Sequence, residues 1–193
     1  MTWLAIVVVV VVVLLLLWLV LLYNGLVQKR NRVDNAWAQI DVQLKRRRDL
    51  IPNLVETVKG YAAHERGTFD AVTQARAAAS AAQTPAATAA AEGVLSQALG
   101  RLFAVAEAYP ELKANQNFLD VQGQLRDTED KIAISRQVYN DTVLTYNNAI
   151  QVFPAVLIAG ALGFRKREFF ELEAGDDREP PAVSFQPDAS ATS

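Results

Sequence analysis

The sequence predicts an all-α protein: an N-terminal transmembrane helix, then an antiparallel, mostly four-helix up-down bundle with long coiled-coil-like helices, and a disordered C-terminal tail. Three observations carry this. An uninterrupted apolar run opens the chain, apolar residues then recur at spacings of three and four, and prolines and glycines fall between the periodic stretches. Sustained period-two alternation, the mark of a half-buried strand, is absent from the sequence.

The apolar run is WLAIVVVVVVVLLLLWLVLL, residues 3–22, with no polar side chain. Twenty helical residues rise about 30 Å, one hydrocarbon thickness. In lipid the backbone must bond internally, so helix wins over the strand preference of the valines. Trp3 and Tyr23 stand at its ends, where amphipathic rings favour the membrane interface. A cleaved signal peptide fits less well, because a basic leader, a short apolar core and a small-x-small cleavage site are all missing. Lys29, Arg30 and Arg32 follow the run closely, so the positive-inside rule places the short N-terminus outside and the following domain in the cytoplasm.

Three regions result: an anchor over 1–25, a cytoplasmic helical bundle over 26–174, and an acidic, proline-containing tail over 175–193. Within the bundle, helices are expected at about 26–50, 52–82, 91–109 and 115–153, followed by an apolar segment at 152–164. The seams are Val33-Trp37-Ile40-Leu44, Val58-Ala62-Phe69-Val72, Leu95-Ala98-Leu102-Val105, and a long one from Phe118 to Phe153. Pro52 is expected to turn the chain near Asp49, and Pro85 with Gly93 to leave 83–93 a loose link. Pro110 should stop the third helix, and Asn115 or Asn117 should cap the fourth. Thr128 and Ser135, polar positions in the long seam, suit packing on other copies.

Chemistry is scarce. The chain has no cysteine and one histidine, His64, which removes thiolate chemistry and cysteine-based metal sites. A formal net charge of -2 is not the basic footprint of bulk nucleic-acid binding. The runs Lys45-Arg46-Arg47-Arg48 and Arg165-Lys166-Arg167 are the candidate partner or lipid surfaces. Four consecutive bases cannot share one helix face, and the seam through Leu44 points Arg47 or Arg48 at the core edge, near the expected end of the first helix. A partner protein, lipid or nucleic acid are the other readings of that run. A di-iron bundle enzyme would need two Glu-x-x-His pairs; Tyr61 stands three before His64, and no second histidine exists. No catalytic, cofactor or metal residue is assigned and no enzyme activity is expected, with a metal-dependent bundle enzyme or a basic-patch nucleic-acid or lipid binder as alternatives.

The segment VFPAVLIAGALGF, residues 152–164, is too short to span a bilayer and too apolar for an exposed tail. It is expected either to lie at the membrane interface, bent at Pro154 with the three bases reaching anionic lipid, or to close the base of the bundle. The first reading rests on length. A fourth helix of about 58 Å would overshoot a first helix of about 40 Å that ended at Asp49.

YNGLVQKRNRVDNAWAQIDVQLKRRRDLIPNLVETVKGYAAHE (23–65) and AEAYPELKANQNFLDVQGQLRDTEDKIAISRQVYNDTVLTYNNAIQVFP (106–154), with EFFE and VSF near the end, closely resemble the bacterial LemA family. The resemblance runs from Tyr23 to Phe185 and implies a membrane-anchored, antiparallel helical protein with no assigned enzymatic activity. The expected role is a scaffold or adaptor that assembles with itself or recruits membrane-protein partners.

Overall fold

Residues 1–171 are described by the computed structural model; the tail expected over 175–193 lies outside them. The described residues are helical without strands. α1 spans Thr2–Lys59, α2 Arg66–Ala81, α3 Pro85–Glu107, α4 Pro110–Lys113 and α5 Gln116–Gln151, and a 3-10 turn follows at Ala155–Leu157.

α1 is one helix of 58 residues, about 87 Å long. Its first part, residues 1–21, is exposed throughout and is long and apolar enough to cross a membrane. Packing begins at Leu22, and the core face then runs through Leu26, Val33, Ile40, Leu44, Ile51 and Val58. α5 returns antiparallel along this face. α2 and α3 form a hairpin over the distal part, where both join α1 and the start of α5 in an apolar cluster around Leu54, Phe69, Leu102 and Phe118. Below it, α1 and α5 share a second cluster with the C-terminal residues, centred on Ile40, Tyr139, Tyr146 and Phe170.

Pro52 does not break the chain. The expected helices at 26–50 and 52–82 are replaced by α1, which continues to Lys59, and by α2, which begins only at Arg66. A proline interrupts a helix because it lacks the N–H that would bond the carbonyl four residues earlier. Here that carbonyl belongs to Arg48, and the Arg76 guanidinium of α2 donates to it at 2.7 Å. Pro52 itself is exposed, so its ring meets solvent rather than core. The tertiary structure thus supplies what the ring removes, and the seam Leu44-Arg47-Ile51-Leu54-Val58 carries α1 onward.

Two further boundaries differ. The link expected at 83–93 is mostly helix: Thr84 caps α3, its hydroxyl accepting from the Ala87 N–H at 3.2 Å, and Pro85 takes the first helical position. Pro110 opens the single turn α4 instead of merely ending α3. Asn115 does cap α5, accepting from the Phe118 N–H at 3.2 Å. Thr128 is fully buried, and its hydroxyl bonds the Gln124 carbonyl at 2.7 Å. It therefore packs inside the chain and cannot offer a surface to another copy.

Candidate functional site: the two ends of the helical rod

The distal site grows from the basic run. At 100° per residue the four bases fan around α1: Lys45 and Arg46 are exposed, Arg48 is half-buried and Arg47 is buried at 5% exposure. Arg47 and Arg48 both reach Glu92 of α3, buried at 2% exposure, with contacts of 3.3 Å and 3.0 Å. Arg47 also donates to the Ser96 hydroxyl at 2.7 Å and lies 3.4 Å from Glu129 of α5. Arg48 adds Asp41 at 3.6 Å and the Ala79 carbonyl at 3.4 Å. Charges taken out of water persist only when paired and fully bonded, and this cluster ties α1, α2, α3 and α5 at one level. Burial pushes the Glu92 carboxyl above its usual value of 4.5, against the pull of the two guanidinium groups.

Beside the cluster opens a groove of about 380 Å³, lined by Arg47, Glu129 and Arg126 at one side and by Leu99, Phe103 and Leu125 at the other. No three His, Asp or Glu side chains converge as metal ligands among the described residues. His64 is exposed in the connection between α1 and α2. The run at 45–48 was expected near a helix end; it sits mid-helix because α1 continues past Pro52.

The membrane-proximal site is built on Tyr139-Asn140 and Tyr146-Asn147, seven residues apart on α5: periodicity placed the two tyrosines in the long seam but did not single out the asparagines beside them. Residues 164–171 form neither helix nor strand and lie as a strap against this face. Asn147 both accepts from the Arg167 N–H and donates to the Arg167 carbonyl, each at 2.9 Å. Asn140 does the same for Phe170, at 2.9 Å and 3.2 Å. The hydroxyls of Tyr146 and Tyr139 donate to the carbonyls of Arg165 and Glu168 at 2.9 Å and 2.8 Å.

The match is metrical. Seven helical residues rise about 10.5 Å, and three extended residues cover about 10 Å, so each Tyr-Asn pair meets the strap in the same way. Burial pushes both phenols above their usual value of 10. Side chains complete the hold. Phe170 packs on Trp37 at 5.9 Å, and Phe164 meets Tyr23 edge-on at 5.7 Å with the Arg30 guanidinium 5.4 Å from its ring. Of the second basic run, Arg167 pairs with Asp34 of α1 at 2.9 Å, while Arg165 and Lys166 are exposed. Trp3 and Tyr23 flank the exposed apolar stretch of α1.

The length argument for the segment at 152–164 also changes. From Tyr23 to Lys59 α1 rises about 55 Å, and α5 is about 54 Å long. The two helices end level, because α1 does not stop at Asp49.

Comparison with known proteins agrees with this architecture. The LemA family model matches residues 36–185. Protein LemA of Metamycoplasma hominis is 26% identical over 149 residues, 77% of this chain and 68% of that protein. Magnetosome protein MamQ of Magnetospirillum gryphiswaldense and Magnetosome protein MamQ 2 of Paramagnetospirillum magneticum are each 39% identical over 87 residues. Those matches take in 45% of this chain, which spans about a third (32%) of the length of the magnetosome relatives. A family model covering most of the chain, joined to an all-helical fold with one span-length apolar helix, shows that the chain belongs to the LemA family.

Proposed function

We propose that this protein is a non-enzymatic scaffold or adaptor, tethered by residues 3–22 and carrying its helical rod on the cytoplasmic face of a bacterial membrane. The observation that carries the proposal is the continuity of α1: one helix joins the apolar stretch to the distal helical cluster without a linker. A protein that presents a surface at a fixed height needs such a stalk; a soluble enzyme on a leash does not. The names of the family and of its relatives are not enzyme names. Lys29, Arg30 and Arg32 support the inward orientation.

Crosslinking of the full chain in native membranes, followed by identification of the trapped species, tests the role. Copies of the chain or one recurrent membrane protein are expected. Only uncrosslinked chain at every linker length would sink the scaffold reading. Stoichiometric iron or manganese in the purified full chain would favour the enzyme alternative. A reporter fused after Ser193 is expected to behave as cytoplasmic, and its export would reverse the orientation.

A further inference from the structure

We propose that the turn at 152–162 is a second membrane contact, seated in the lipid headgroup layer beside the span. This rests on the reading that residues 3–22 cross the bilayer and adds a surface that reading does not require.

Height fixes the partner. α1 and α5 run antiparallel and touch at Trp37 and Tyr139, whose rings are 5.4 Å apart. Fourteen residues along α1 from Trp37 toward the membrane lead to Tyr23, about 21 Å, and twelve along α5 from Tyr139 lead to its last residue, Gln151, about 18 Å, with Phe153 two residues beyond. Phe153 therefore lies level with the interfacial end of the span. The contact of Tyr23 with Phe164 closes the same turn from its other end.

The turn is two-sided. Ala155, Ala159 and Phe164 are buried against α1 and α5, which is the base-closing role. On its other side Phe153 is 79% exposed, Leu157 71%, Val152 57% and Val156 49%, an apolar surface that no other described residue covers. Side chains of this size gathered on one surface mark a binding face. At this height the available apolar phase is lipid, continuous with the phase that covers residues 3–22. Arg165 and Lys166 are exposed immediately after the turn and suit anionic headgroups. Phe153 and Leu157 thus sit in the layer where apolar side chains of interfacial segments are buried. The Tyr-Asn clasp on residues 165–170 holds the turn in place.

The chain has no cysteine, so single spin labels can be placed on the otherwise intact protein in phosphatidylglycerol-containing vesicles. Labels at F153C and L157C replace exposed residues and leave the core untouched. L15C, in the span, and D141C, about 15 Å along α5 from its membrane-proximal end at Gln151, serve as references. Both turn labels are expected to keep oxygen access and to show access to a water-soluble nickel chelate between those of L15C and D141C, as the headgroup layer gives. Nickel access like that of D141C would overturn the contact while L15C still reported a membrane span. Shielding from both relaxants would show the turn covered by protein and equally overturn it.

Discussion

At Glu92 the long helices are joined to their neighbours by charge; at Asn147 α5 holds residues 165–170 by neutral amide hydrogen bonds. The distal region buries a carboxylate between two guanidinium groups beside an apolar cluster drawn from all five helices. The proximal region buries tyrosines and asparagines, and its polar contacts go almost wholly to the backbone of residues 165–170. The difference follows from what each must fix. Helices packed side by side can slide, and a buried ion cluster selects one register at a cost in desolvation. An extended segment has no register of its own, so paired acceptors and donors at the right repeat must supply it.

The largest effect is expected where charge is buried. Glu92→Leu leaves Arg47 and Arg48 without their shared acceptor, and loss of one partner of a buried pair costs about 3–5 kcal/mol. The double variant Arg47→Leu with Glu92→Leu removes one stranded charge as well and is expected to recover much of that loss in denaturant unfolding. A double variant as unstable as Glu92→Leu alone would show that shape, not charge balance, holds the distal region.

Next comes the clasp. Asn147→Ala removes two backbone-directed bonds, together about 1–3 kcal/mol. Hydrogen exchange at Arg167 and its neighbours is expected to rise, while the N–H groups of α3 keep their protection. Equal loosening at both ends would mean the two regions unfold as one unit.

The helical class, the apolar N-terminal helix and much of the core face could be read from residues, because the burial of Val33, Ile40 and Leu44 follows from spacing alone. The cap at Asn115 could be read for the same reason: its partner is three residues away. What spacing could not supply were partners distant in sequence. Arg76 is needed to explain why Pro52 is tolerated, and Glu92 to explain why Arg47 is buried, yet neither contact leaves a local pattern. The Tyr-Asn repeat was visible, but its meaning depends on a segment some 20 to 30 residues farther on.

The pH dependence separates the regions more finely. Burial raises the Glu92 carboxyl above its usual 4.5, so between those two values the folded chain holds a proton that the unfolded chain has released. Stability from this group is full below the unfolded value and is lost as pH rises through the folded one. Glu92→Gln is expected to flatten that slope in chemical denaturation measured across the mildly acidic range. The Asn147→Ala protein should keep it, since the substitution removes no titrating group and leaves Glu92 and its partners in place. An unchanged slope in Glu92→Gln would assign the dependence to other groups.

The smallest effect is a coupling. Arg76→Met deletes the donor to the Arg48 carbonyl, an acceptor that Pro52 leaves without its helical N–H. In the native background this strands a part-buried carbonyl and should destabilise by about 1–3 kcal/mol. With Pro52→Ala already in place, residue 52 regains an N–H that can bond Arg48 directly. The same Arg76→Met change should then cost less, by about 1 kcal/mol. The two substitutions on separate helices are therefore expected to be non-additive in a double-mutant cycle. Strict additivity would mean that Arg76 steadies α2 for reasons unrelated to the proline. A positive coupling would identify Arg76 as the side chain that lets one helix run from the apolar span to the distal cluster.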